Sequence, residues 1–450
     1  MILAGGLARG AAVAVVVLAL VLSLGEAATR LAEAHPALPS PAERAFPFGM
    51  FRADPDAGVA LAKHAWIPSE RFATNTFGHR DRPREAGEPA PWMTRVAVIG
   101  GTTGAGRGVA DAHTFARLLE DAFPAAAAPP DDGSTPRGVE VWNLAVPGYG
   151  AEQALLRLEA DWETVQPDVV VWAFDLADTP MRTLLGPGAR RVVDGELVSG
   201  PWTPFASAPY EDERATFLRA GLEIGPLRID SALQRTLARD LAGSLLQVPP
   251  GMDPFDAAVV GGWAWLWMEP PPDPVELAWE LVGDVLERLA RACADRGARL
   301  VILGVPGRID VDPQAFAAAR DGGVTPLDDG SPARPLVPGL PATRLRALAK
   351  ARDVPWIDPL DALRGAGEPV HHLDFPAWNA AGHRVGAEVL AAGLATLGEL
   401  PPHDPARLRD ALLEAVPRGD AETRFDGGFR AARGARTTTV RWERATSWAW

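Results

Sequence analysis

The sequence predicts an α/β protein: a parallel β-sheet covered by helices on both faces, preceded by an N-terminal transmembrane helix. Three observations predict it. Short apolar runs at 96–99, 168–174 and 299–305 lack alternating polar residues, as strands buried on both faces must. Between them, apolar residues recur at helical spacing, as with Phe115, Leu118 and Leu119, or Leu277, Leu281, Val285, Leu286 and Leu289. Finally, residues 10–25 run without a charge.

That first run follows Arg9 and precedes Glu26, Arg30 and Glu33. At about 1.5 Å per residue it reaches about 24 Å, short of a hydrocarbon core of about 30 Å, but residues 2–8 are apolar too and lengthen it to a span. Ser23-Leu24-Gly25 is a poor cleavage site, so an uncleaved anchor is expected ahead of a cleaved signal peptide or a buried helix. The flanking charges place the amino terminus in the cytoplasm. The expectation is therefore a single-pass cell-membrane protein with its globular part in the periplasm or outside the cell.

Residues 31–94, rich in Pro, Ala and charge, read as a stalk and N-terminal extension. The main domain is expected over 95–400. The strand at 96–99 runs into a Gly-rich turn at 100–108, then a helix at 114–123, a loop at 124–137, a strand at 139–144, a helix at 151–165 and a strand at 168–174. An insertion at about 181–274 breaks the rhythm and holds Trp202, Trp263, Trp265 and Trp267; packing against the main domain is the commoner use of such residues, a substrate lip the rarer one. A helix at 275–296 capped by Gly297, a strand at 299–305 and a short strand at 355–358 follow, and 401–450 reads as a C-terminal tail. Ligands of such sheets bind at the carboxyl ends of strands.

Composition removes several function classes. With 58 acidic against 44 basic residues the net charge is -14, which argues against nucleic acid as a partner. Cys293 is the only cysteine, so an intrachain disulfide and a Cys-rich zinc site are excluded. His, Asp and Glu do not recur at ligand spacing beyond His371-His372, so no metal is expected, and no cofactor.

Five ordered blocks at the strand ends resemble the SGNH (GDSL) hydrolase superfamily, in its membrane-anchored bacterial form. Residues 74–80 (TNTFGHR) resemble the "TNSxGxR" segment preceding the domain, and 96–104 (VAVIGGTTG) hold the place of the "VLGDSxTxG" nucleophile block. Residues 143–150 (NLAVPGYG) are close to "NxGVPGYG", 167–171 (PDVVV) and 176–178 (LAD) sit at "PDLVV" and "LND", and 374–383 (DFPAWNAAGH) resembles "DxxHxNxxGH". The resemblance implies a three-layer flavodoxin-like SGNH hydrolase fold.

In that family a serine attacks an acyl carbon, a histidine takes its proton and an aspartate orients the histidine. By the resemblance, Thr102 holds the nucleophile position and Asp374 that of the orienting acid, while Gly148 keeps the glycine whose amide lines the oxyanion hole. Gly101, Ala177 and Ala377 replace the family's aspartate, oxyanion asparagine and base histidine. Losing one oxyanion donor costs about 100- to 1000-fold in rate, and losing nucleophile and base as well removes most of the machinery. His371 and His372 lie upstream of Asp374, but leave the strand end from another direction and read as structural or solvated. His383 matches the family's noncatalytic "GH" histidine, and His113, in the segment after Thr102, is discounted in the same way.

Two functions remain. The first is a catalytically impaired SGNH-like protein that binds or scaffolds an acylated envelope polysaccharide or lipid. The alternative is an active ester hydrolase or O-acetyltransferase with a rebuilt site using Thr102.

Overall fold

Strands buried on both faces need helices on both faces, and the chain supplies them in sequence order. The structure, a computed structural model, describes residues 51–54, 56–67, 72–90, 92–123, 138–185, 190–193, 196–199, 265–271, 273–321, 334–372, 377–401 and 403–419. The expected membrane segment at 1–30 and most of the insertion at 181–274 lie outside them. Among the described residues no helix is long and apolar enough to cross a membrane.

Before the sheet, β1 (Phe51–Asp54) and β2 (Gly58–Leu61) form an antiparallel hairpin whose turn is closed by the Asp54 carboxylate, which accepts the N–H groups of Asp56 and Ala57. β3 (Trp66–Ile67) pairs antiparallel with β4 (Phe72–Ala73). The domain proper runs β5 (Met93–Gly100), α1 (Phe115–Ala122), β6 (Gly138–Asn143), α2 (Ala151–Val165), β7 (Val169–Asp175) and α3 (Thr179–Leu185). A hairpin of β8 (Arg190–Val193) and β9 (Glu196–Ser199) comes next. Then follow α4 (Asp273–Ala294), β10 (Arg299–Val305), α5 (Leu340–Ala351), β11 (Trp356–Ile357), α6 (Ala380–Thr396) and α7 (Pro405–Ala415).

The main sheet has the order β11-β10-β7-β5-β6 and every pairing in it is parallel. Counted in chain order its strands stand 2-1-3-4-5, the flavodoxin-like order, whose ligand crevice opens where β5 and β7 diverge. Side chains alternate between two cores. Ala97, Ile99, Val170, Trp172, Phe174, Leu300 and Ile302 face the core that buries α2, α4 and α5. Val96, Val98, Val169, Val171, Ala173, Val301 and Leu303 face the other, beneath α1, α6 and α7. The three-layer expectation therefore holds, and Leu408 and Leu412 seat α7 on this second core.

The helix ends follow their sequence signals. The Thr114 hydroxyl accepts the Arg117 N–H at the start of α1, and the Asn379 side chain accepts the Gly382 N–H at the start of α6. Beyond α4, Gly297 takes φ +75° and closes the helix as expected.

Candidate functional site

The rim is built where β5 gives way to a turn. Gly100, at φ +145°, ends the strand so close to β7 that a Cβ on it would stand 2.3 Å from the Ala173 carbonyl oxygen, so only glycine lets the chain leave here. Thr102 follows, half-buried. From the loop between β6 and α2, the Gly148 N–H donates to the Thr102 hydroxyl oxygen at 3.2 Å. Gly148 has φ +81°, the left-handed backbone that aims its amide there.

One side chain ties these two loops together, and another anchors the first of them. Asn143, the last residue of β6, donates to the Gly104 carbonyl at 3.0 Å and accepts the Ala145 N–H at 3.1 Å. Arg80, at the end of the 74–80 segment, is 2% exposed; its guanidinium donates to the carbonyls of Ala105 at 2.8 Å, Gly106, and Val109 at 2.6 Å, and lies 4.4 Å from the Phe72 ring centroid. Upstream, the Asn75 side chain accepts the N–H groups of Phe77 and His79, and His79 Nε2 meets Asp161 at 2.9 Å. The segment that resembles a family signature is thus the clamp that fixes the loop after Thr102.

Three of the remaining expected positions are among the described residues. Ala177 follows β7, and its methyl lies 2.8 Å from where a Cβ on Gly307, beyond β10, would sit. Ala377 is 1% exposed and its carbonyl accepts the His372 N–H at 3.2 Å. Gly101 lies buried beside β7, and Asp374 is outside the described residues. Thr102 and Gly148 are therefore in direct contact, while Ala177 and Ala377 contribute methyl groups.

His371 and His383 are structural. His371 Nε2 meets the Pro306 carbonyl at 3.1 Å, and burial pushes its imidazole down to about 4, so it is neutral with its proton on Nε2. His372 is buried beside it rather than solvated. His383 Nδ1 accepts the Phe115 N–H at 3.2 Å, stacks on that ring, and is held well below the ordinary histidine range by burial. Of the insertion's tryptophans, Trp202 and Trp263 lie outside the described residues, and the other two behave as packing. Trp265 and Trp267 are buried, and Trp267 Nε1 donates to Asp310 at 2.7 Å. Among the described residues no group of His, Cys, Asp and Glu could hold a metal ion.

One rim residue escaped the sequence reading. Asp175 is the last residue of β7, 6% exposed, and its Oδ2 accepts the Thr103 N–H at 3.2 Å. Burial pushes its carboxyl up to about 7; the nearby Asp178 charge adds to the rise, while the Thr103 hydrogen bonds and Arg182 oppose it. Its signal was a carboxylate ending an otherwise apolar strand, VVVWAFD, at the end where such sheets bind ligands.

No family model matches the chain, and no curated protein does. Solved structures are similar to it at low identity. They include the psychrotrophic esterase EstA from Pseudoalteromonas sp., with 10% identity over 68% of this chain and 98% of that one and a TM-score of 0.31. The lipase/acylhydrolase from Enterococcus faecalis gives 12% over 69% and 100%, with a TM-score of 0.33. A catalytic mutant of an acetylxylan esterase from Geobacillus stearothermophilus gives 11% over 69% and 97%, with a TM-score of 0.33.

Proposed function

We propose that this chain is a membrane-anchored, extracytoplasmic SGNH hydrolase-like protein that binds an acylated envelope polysaccharide or lipid and does not hydrolyse it by the family's triad. One observation supports this above others. The Thr102 hydroxyl sits 3.2 Å from the Gly148 amide, whereas the position of the base is the buried methyl of Ala377. A hydroxyl and an amide N–H can both hydrogen-bond an ester carbonyl. A methyl cannot accept the proton a nucleophile must shed. A hydroxyl and one amide that can meet an acyl group are kept, while the proton acceptor and the asparagine donor that the resemblance expects are replaced. His371 does not restore it, because its Nε2–H is tied to the Pro306 carbonyl and its imidazole takes up a second proton only far below neutral pH.

The second reading is an ester hydrolase or O-acetyltransferase rebuilt on Thr102. Asp175 favours it, since a carboxyl at about 7 beside the Thr102 turn titrates in the range where a base would work.

Hydrolysis of p-nitrophenyl acetate by the full chain separates the two. We expect wild type and Thr102→Ala to match the buffer rate, and Ala377→His alone to restore little, because triad members act as a unit. Wild-type turnover that is lost in Thr102→Ala, and also in Asp175→Asn, His371→Ala or His372→Ala, would establish the rebuilt site and end the binding-only reading.

A further inference from the structure

We propose that Asp175 is the positioning residue of the Thr102 turn: it braces the residues on either side of Thr102 and so holds the hydroxyl against the Gly148 amide. The geometry is local. β5 pairs with β7 with Gly100 opposite Ala173, which brings the carboxyl two residues further along β7 beside the turn leaving β5. On one side of Thr102, the Thr103 N–H donates to Asp175 Oδ2 at 3.2 Å. On the other, a Cβ on Gly101 would stand 3.0 Å from the same oxygen and 3.3 Å from the Tyr149 carbonyl, so the carboxyl fills the space a side chain there would need. Thr102 lies between the residue the carboxyl bonds and the glycine whose side-chain space it takes, with its own oxygen receiving the Gly148 N–H.

The charged groups acting on Asp175 are Asp178, just after β7, and Arg182 on α3, which pairs with Asp178 at 2.9 Å. The turn itself offers neutral partners, and on β10 it is Val305 that stands in register with Asp175. Ionisation of this acid near neutral pH therefore changes the field at Thr102 while the brace remains. The inference does not require the rim to turn over any substrate, so it can fail or stand independently of the hydrolysis experiment.

The full chain suits a thiol reporter, because Cys293 is buried and its thiol is pushed up to about 12, leaving a quiet background. In Thr102→Cys, the rate of alkylation by iodoacetamide is followed from pH 5 to 10 by mass spectrometry. The expected profile has an inflection near 7 from Asp175 as well as that of the reporter thiol. Adding Asp175→Asn keeps a brace for the Thr103 N–H but removes the charge. The inflection near 7 should vanish, and alkylation at pH 8 should rise on the order of tenfold. Adding Asp175→Ala removes charge and brace together. The reporter then loses the Gly148 N–H as a donor, and its rate at pH 8 should fall below that of the Asn variant. If the Ala variant does not fold, Asp175→Ser, too short to reach the Thr103 amide, carries the same expectation. Identical profiles for the Asn variant and the shortened variant, or an inflection near 7 that survives Asp175→Asn, would overturn the assignment.

Discussion

Replacing Arg80 should loosen the loop after Thr102 more than any change on the protein's surface could. Arg80→Met keeps most of the apolar stem over Phe72 but strips a buried donor from the carbonyls of Ala105, Gly106 and Val109. Hydrogen bonds from a charged donor contribute about 1.5–3 kcal/mol each. The three share one guanidinium and are not additive. We expect a loss of about 3–5 kcal/mol, above that of one such bond and below the plain sum of three. Arg80→Lys keeps the charge but not the planar fork, so it should lose roughly half as much. Equilibrium urea unfolding of the full chain, read by tryptophan fluorescence, measures both. A loss under about 1 kcal/mol for Arg80→Met, or equal losses for the two variants, would refute the view that a forked donor holds this loop.

Three further outcomes are expected. The Asp175 carboxyl is raised from 3.8 to about 7 in the fold, so between those values the native state binds more protons than the unfolded chain and stability falls as pH rises, by roughly 4 kcal/mol at most. His371, lowered to about 4, acts in the opposite sense below its ordinary 6.5, so the Asp175 effect must be read as the difference between wild type and Asp175→Asn, which should narrow in favour of the variant from pH 4 to 7. Gly101→Asp would bring a second carboxyl against Asp175, so its loss of melting temperature should be larger at pH 8 than at pH 5; a loss independent of pH would show that the two groups do not meet. Protease added to intact spheroplasts should digest the globular domain, and full protection would contradict the proposed orientation.

Much of the fold was legible because its strands are buried on both faces. The runs at 151–165 and 299–305 fall on α2 and β10 residue for residue, since nothing but apolar periodicity is needed to mark them. β5 begins three residues earlier than the apolar run at 96–99 suggests, because Met93 is held by register against Gly138 and not by its own burial. The helices α5 and α7 were not read. Their apolar contacts, Leu345 and Ala349 in one and Leu408 and Leu412 in the other, are too few to stand out among Arg, Lys and Asp. The blocks named Thr102, Gly148, Ala177 and Ala377, but could not say that two of them would touch and that the others would bring only methyl groups. Asp175 went unread because a carboxylate at a strand end looks like the beginning of a loop, and its burial is set by β5 and the turn beyond it.

The pattern of retention at the rim is itself informative. The backbone requirements for presenting a hydroxyl to an amide are met: glycine where β5 must pass the Ala173 carbonyl, glycine where the Gly148 backbone turns left-handed, Asn143 tying the two loops and Arg80 anchoring the loop after Thr102. These are costly features, since positive-φ positions and buried guanidinium groups tolerate few substitutions. Two of the groups missing from the resemblance, the histidine at Ala377 and the asparagine at Ala177, are by contrast side chains that proton transfer and oxyanion charge require. A rim that had simply decayed would lose both kinds together. On the proposed reading, a rim that keeps this geometry while Ala377 and Ala177 stand where the resemblance expects histidine and asparagine is a surface for a ligand, and the Thr102–Gly148 contact is the place to test it.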